Sequence, residues 1–406
     1  MAVRTPTTNE DDWAAPTAWW SKSDPFRGLG PARRTTVNAA AAAAVADTLA
    51  RSADKIRTAL QHPRSHNVFR QRGLAYLSAP DADPIGAAVC AAVGIDAYIL
   101  NPDGLGRYYD DNTDLADYLV HTHGFELATS MTAAVAGIHC EFDSLIPNEW
   151  YRNSDPANYR VATGVTDPPV TVIRRLRALL AAANDAEYAG ALTVAARLRR
   201  GGSLPIRLLT SYLFPTEQHW VADDLADPSL SAPNSDAILL LASVTDPSHA
   251  HRIVDLLGQR WSGLHHNPSL LFNVATQLGP SAADVIIRIW KEGWGNAYAP
   301  KADKLGRILA HLPDDAAMHF LADESWRGST TAALQASTER FPARALRVLA
   351  ERAGRLGTED AFLEHAQRHL ELAAAVRHQL PILAQQLLTE ILPDPIVSPA
   401  SDTALM

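Results

Sequence analysis

LPIRLLTSYLFPTEQHWVADDL, residues 204–225, reads as two short helices meeting at a corner. Ser203 stands where an N-cap is wanted, and Pro205 falls in the first turn, where a missing N–H costs nothing. Ile206, Leu209, Tyr212 and Leu213 recur at helical spacing. Phe214 precedes Pro215, and the residue before a proline is pushed out of the helical region, so the first helix stops there. Thr216 is expected to cap the second helix, whose apolar side is Trp220, Val221 and Leu225. The same succession of helix, tight corner and helix returns along the chain and predicts an all-α protein.

Upstream of the corner, Val172, Ile173, Leu176, Leu179 and Leu180 follow the i, i+3, i+4, i+7 rule. Asp185 opens the next helix, Tyr188, Leu192, Ala195 and Leu198 line it, and Gly201-Gly202 closes it. Downstream, Pro247, Pro280, Pro313, Pro342 and Pro381 mark helix starts. They recur every roughly 30 to 40 residues, the length of a helix-hairpin repeat of the HEAT or armadillo kind. Between them run Val285, Ile286, Ile289 and Trp290, then Ala345, Leu346, Leu349 and Ala353, then Phe362, Leu363, Ala366 and Leu370. No stretch sustains β alternation. The expected architecture is an irregular HEAT/armadillo-like solenoid of helical hairpins over 169–392, with a less regular helical part over 38–146. A polar linker covers 147–168 and a loose tail 393–406.

Within the N-terminal part, Asn38 to Leu60 reads as one Ala-rich helix. Asp81 to Tyr118, cut by Pro84 and Pro102, reads as short elements. NPDGLGRYYDDNTD, residues 101–114, lacks the ordered ligand spacing of a calcium loop and reads as a solvated turn capping a helix. Residues 1–37 read as a poorly ordered arm, yet they hold Trp13, Trp19 and Trp20, side chains costly to leave in water. Docking of the arm onto its own repeats is expected over anchoring of a partner.

The 406 residues are 47% hydrophobic and 20% charged, which predicts a folded, core-bearing chain. A net charge of −9 disfavours generic binding to nucleic acid or anionic membranes. Two cysteines, Cys90 and Cys140, make no disulfide framework. The N-terminus lacks the apolar core of a signal peptide, and the Ala-rich run at 38–50 is too short to span a bilayer. A cytoplasmic protein without cofactor is expected.

Three constellations carry possible chemistry. His121 and His123, with His139, Cys140 and Glu141, are metal-ligand types without standard spacing, and read as incidental residues of a helix pair; no metal is expected. Arg174, Arg175, Arg177, Arg197, Arg199, Arg200 and Arg207 concentrate in one hairpin and its exit. They read either as a face paired with local carboxylates or as a basic ridge for nucleic acid. Trp290, Trp294 and Tyr298 read either as packing between repeats or as an aromatic groove edge. The candidate partner-binding set is therefore Trp290, Trp294, Tyr298, Arg199, Arg200 and Arg207. Farther on, Glu351 stands four residues from Arg347 and Arg355, which predicts intrahelical pairing. Neither a G-x-S-x-G elbow, a P-loop, an H-E-x-x-H nor a G-x-G-x-x-G after a strand is present, so no catalytic residue is assigned.

The run SYLFPTEQHWVADD, with IRRLRALLAAANDAEYAGAL before it and STERFPARALRVLAERA after it, resembles the helical-repeat region of the molybdate-metabolism-regulator-like (MolR-type) proteins over 168–392. The resemblance implies a large bacterial multidomain family with no agreed catalytic residues, whose members continue into further C-terminal domains. It adds to the expectation of a non-catalytic scaffold whose concave face binds another protein, with those domains supplied by a separately encoded chain. The alternative is a nucleic-acid-binding or lesion-processing protein that uses the ridge from Arg174 to Arg207.

Overall fold

A computed structural model of the chain describes residues 10–31, 34–80, 83–96, 113–135, 138–142, 159–163, 170–231, 235–258, 269–291, 299–325, 328–354 and 359–392. It divides into a larger unit, 16–277, and a smaller one made of 1–15 and 278–406. The segment 147–168, expected to be a linker, falls inside the larger unit, and 143–158 and 164–169 lie outside the described residues.

In the larger unit the helices α1 (Thr17–Trp20), α2 (Ala39–Arg51), α3 (Ala53–Leu60), α4 (Asn67–Ser78), α5 (Pro84–Asp96) and α6 (Thr113–Val135) precede two strands, β1 (Ile138–Phe142) and β2 (Tyr159–Thr163). Helices α7 (Val170–Ala182), α8 (Asp185–Arg199), α9 (Leu204–Leu213), α10 (Gln218–Leu225), α11 (Pro247–Leu257) and α12 (Ser269–Leu278) follow, with a 3-10 segment at Ser235–Ala242. The fold is helical, as expected, apart from this one short strand pair among the described residues. The strands pair antiparallel, Ile138 opposite Thr163 and Phe142 opposite Tyr159, and α5 and α3 pack against them. Five residues per strand is too short a run for period-2 alternation to stand out from sequence. His139, Cys140 and Glu141 thus belong to a strand and not to a helix pair.

Helix α5 has no exposed residue over 84–93. Ala87, Ala88, Val89, Cys90, Ala91 and Val93 are all buried. Small residues let neighbours approach closely: a Cβ on Gly86 would lie 2.3 Å from the Arg72 carbonyl oxygen. Burial pushes the Cys90 thiol up to about 12, so it stays protonated and inert. The run expected as one helix over 38–60 is two, because Ser52 leaves helical geometry at ψ 4°. Asn38 caps the first by accepting from the Ala41 amide.

The punctuating prolines do sit at helix starts. Pro205 and Pro247 occupy first-turn positions of α9 and α11. In the smaller unit α13 (Ala282–Ile289), α14 (Ala299–Leu309), α15 (Asp315–Asp323), α16 (Gly328–Arg340), α17 (Pro342–Glu351), α18 (Glu359–Arg368), α19 (Leu370–Val376) and α20 (Ile382–Thr389) follow one another. Pro280 lies in a 3-10 turn before α13, Pro342 opens α17 and Pro381 is the N-cap of α20. These helices pack on their next and next-but-one neighbours: α15 on α16 and α17, α17 on α18. Leu346, Leu349, Phe362, Ala366, Ala384 and Leu388 merge into one core. The stretch Ser269–Ile289 has the length and apolarity of a membrane span, but 67% of that window is buried within the protein. It is also two helices, broken at Gly279, whose φ of +59° favours glycine.

Residues 10–31 of the N-terminal arm are docked on the fold, the alternative that the tryptophans favoured, and are ordered in spite of their composition. In the larger unit Trp19 is buried against Phe272. Asp24, 3% exposed, accepts from Arg174 Nε (2.6 Å), Tyr212 Oη (3.0 Å) and Asn273 Nδ2 (3.0 Å). Arg27 spans the C-terminal carbonyls of α7, with 2.7 Å to Ala183 O, and stacks over Tyr188. In the smaller unit Trp13 Nε1 donates to His311 O at 3.1 Å. Buried polar partners spread over distant elements give the arm a defined seat that its loop-like composition does not suggest.

Candidate functional site

The corner of α9 and α10 is built around a buried ion pair. Arg199, the last residue of α8, reaches across to Asp224 on α10, Nη2 to Oδ1 at 2.8 Å, with the two side chains 9% and 0% exposed. Its Nη1 also donates to Arg207 O (2.7 Å), Thr210 Oγ1 (3.1 Å) and Ser211 Oγ (2.9 Å). Ser211 donates in turn to Asp224 Oδ2 at 2.6 Å, and the guanidinium stacks 4.7 Å over Trp220. Each charge is paired and hydrogen-bonded, the condition under which burial of an ion pair is tolerated. Phe214 joins the assembly edge-on to Trp220 and tilted against Tyr188. Gln218 staples the corner to the next segment by donating to Pro215 O and Ser243 O, both at 2.6 Å.

The caps differ in detail from the sequence reading. Ser203 occupies the N-cap position of α9, but its side chain caps nothing. Glu217, not Thr216, is the N-cap residue of α10; Thr216 hydrogen-bonds the Tyr188 hydroxyl at 2.8 Å instead. Helix α8 does open at Asp185, and Asn184 before it is the N-cap, in a full capping box with Glu187.

Beside this pedestal runs an open groove of about 500 Å³, lined by Leu192, Thr193, Ala196 and Arg200 from α8 and its C-cap and by Glu217, His219 and Trp220 from the corner. Positions 192, 196 and 200 share a face because they lie one turn apart. Leu192 and Ala196 supply an apolar floor. Arg200 and Glu217 put opposite charges on the two sides, and exposed His219 lies 3.8 Å from Glu217. Arg197 and Arg200 are exposed and form no hydrogen bond or ion pair among the described residues.

The other arginines of the predicted ridge are engaged within the fold. Arg174 holds Asp24, and Arg175 holds Asp117 at 2.8 Å. Arg177, 1% exposed, donates to the carbonyls of Pro25, Tyr212 and Ala242 and stacks over the Tyr212 ring. Burial pushes its pKa down and that of Tyr212 well up. Arg207 pairs with Asp227, whose carboxyl is held at about 2 by Ser229 and by that arginine.

Of the aromatic set, Trp290 is 2% exposed and packs edge-on against Phe320 at 5.4 Å, so it is core of the smaller unit. Trp294 and Tyr298, like the loop 101–112, lie outside the described residues. The pairing expected within α17 runs between helices instead: Arg344 and Arg347 pair with Asp315, Arg352 with Asp323, and Glu351 with His319. One turn along a helix brings residues near each other, but a facing helix offers closer and drier partners. Among the described residues no group of three or more His, Cys, Asp or Glu side chains is gathered as a metal site needs. Asp24 and Glu10 position several neighbours, and sequence reasoning missed both.

Fold and site together define a largely helical protein whose corner hairpin presents a groove. Residues 97–259, the stretch that contains both corner and groove, match the family model described as YehI second domain. No curated protein and no solved structure matches.

Proposed function

We propose that this chain is a non-catalytic scaffold that binds another protein, and that the groove between α8 and the corner takes a short partner segment. The segment carries an acidic side chain for Arg200 beside a large apolar one for the floor of Leu192 and Ala196. One observation carries the reading. The Arg199–Asp224 pair ties the corner together and engages Arg199 internally, while Arg200, one residue on, is exposed and without a partner among the described residues at the rim of an apolar-floored groove. A fixed cation beside apolar surface on a preformed groove is what a peptide anchor needs. The hairpins are read as an irregular HEAT-like array, which the packing of the smaller unit's helices on their next and next-but-one neighbours supports. Such an array offers an interaction surface by default. The resemblance to the MolR-type family fits the same role.

The test is comparative affinity purification from the native host, with the wild type beside a Thr193→Trp/Arg200→Glu variant that fills the groove and reverses its charge. Both positions are exposed at the surface, so the fold is expected to persist. A partner recovered by the wild type and lost by the variant supports the reading. A partner set unchanged by the variant, or a monomeric wild type that recovers none, overturns it.

A further inference from the structure

Glu10–Trp13 sits on the smaller unit as a ligand sits on a receptor. Helix α17 begins with Pro342, so its first free amides belong to Ala343 and Arg344. Both are taken by one carboxylate from the other end of the chain: Ala343 N donates to Glu10 Oε1 at 2.7 Å and Arg344 N to Oε2 at 2.9 Å. Phe341, at the N-cap position, supplies no side-chain cap of its own. Arg344 Nη2 donates to Asp11 at 2.7 Å. Trp13, half-buried, donates to His311 O and lies over Gly279, where a Cβ would stand 3.3 Å from its ring.

We propose that the smaller unit carries a recognition site for a linear acidic–tryptophan segment, and that Glu10–Trp13 is its resident, displaceable by the same chemistry presented by another protein. The partner is an extended segment with a carboxylate followed three residues on by tryptophan. Three features argue for a docked ligand over a structural wall. The contacts come from separate side chains of a segment without regular secondary structure, while Asp11, Asp12 and Ala14 between and beside them are exposed. The receptor groups are generic for an anion, two helix-start amides and a guanidinium, and neutralising them needs no particular fold of the donor. Segments with few buried apolar contacts open at the low end of a protein's stability range, which leaves the two amides, the Arg344 Nη2 that faces Asp11 and the Gly279 ledge open to a competitor, while Arg344 Nη1 stays on Asp315. The inference is independent of the groove on the larger unit.

The probe is a fluorescein-labelled peptide with the sequence of residues 8–16, TNEDDWAAP, titrated into full-length chains. The wild type is expected to bind weakly, because a tethered resident competes at an effective concentration on the order of millimolar. A Glu10→Ala/Trp13→Ala chain that still melts cooperatively is expected to bind the peptide about tenfold tighter or more. It is also expected to reject a peptide with alanine at the glutamate and tryptophan positions. Equal affinity of the two chains, or equal binding of the altered peptide, overturns the proposal. If the double variant fails to fold, the wild type is irradiated with a peptide carrying a benzophenone in place of the tryptophan. Cross-links mapping to residues 279–311 and 341–344 support the site, and cross-links elsewhere or none at millimolar peptide overturn it.

Discussion

Arg199 and Asp224 lie 2.8 Å apart with almost no solvent between them and the core. Taking one partner away leaves the other charge buried and uncompensated, a loss of about 3–5 kcal/mol. Asp224→Asn is therefore expected to lower stability by about 3 kcal/mol in urea unfolding, whereas Arg200→Ala, on the solvent side of the same turn, changes it little. A loss below about 1 kcal/mol for Asp224→Asn, the range of an exposed pair, would mean the pair does not hold the corner. His365 gives a second residue-scale expectation. Its Nε2 meets Pro342 O at 3.0 Å, Nδ1 is buried without a hydrogen-bond partner among the described residues, and burial, with His369 and Arg368 nearby, pushes the imidazole down from 6.5 to about 4. Its folded pKa lies below the unfolded one, so the unfolded chain binds the extra proton. The neutral imidazole thus contributes its full stability above pH 6.5, and stability falls as pH drops from 6.5 to 4, by about 3 kcal/mol at most. Unfolding midpoints across that window should slope more gently in His365→Gln; an unchanged slope excludes the residue as the source.

At the scale of elements, the arm and the helix starts behave differently. Helix starts follow local rules: proline in the first turn, aspartate or asparagine at the cap, as at Asp246 for α11 and Asp314 for α15. The arm is held by side chains from α7, α9 and α12 that converge on Asp24. Asp24→Ala leaves Arg174, Tyr212 and Asn273 without their shared acceptor. It is expected to cost about 3 kcal/mol and to expose 16–31 to proteolysis. Limited proteolysis followed by mass spectrometry reads this directly, and an arm as resistant as in the wild type would show that Trp19 and Arg27 suffice. The prolines and the apolar stripes of α13, α17 and α18 were legible in the sequence because each depends on residues within one or two turns. The partners of Arg199, Arg207 and Arg344 were not, because spacing along a chain ranks intrahelical neighbours first and carries no information about which helix will face which.

Across the whole molecule the charge balance decides between partner classes. The chain carries a net −9, and five of the seven arginines between 174 and 207 are tied to carboxylates or carbonyls of the fold. A phosphate backbone would find Arg197 and Arg200 available, too few for the several simultaneous contacts that duplex affinity needs. Fluorescence anisotropy with labelled duplex DNA at low salt is expected to show no binding. Salt-dependent binding lost on reversal of Arg197 and Arg200 would restore the nucleic-acid reading.

From the sequence alone came the helical class, most helix starts and the apolar faces, since all three are set by dihedral preference and by periodicity within a single element. Tertiary structure decided the rest. It made the tryptophan-bearing arm a docked segment, turned the arginine ridge into internal ties, put Trp290 in a core and added a strand pair. Each outcome depends on which distant group is close enough, and dry enough, to take a given charge, donor or ring. That proximity is created by packing and is not encoded at any one position along the chain.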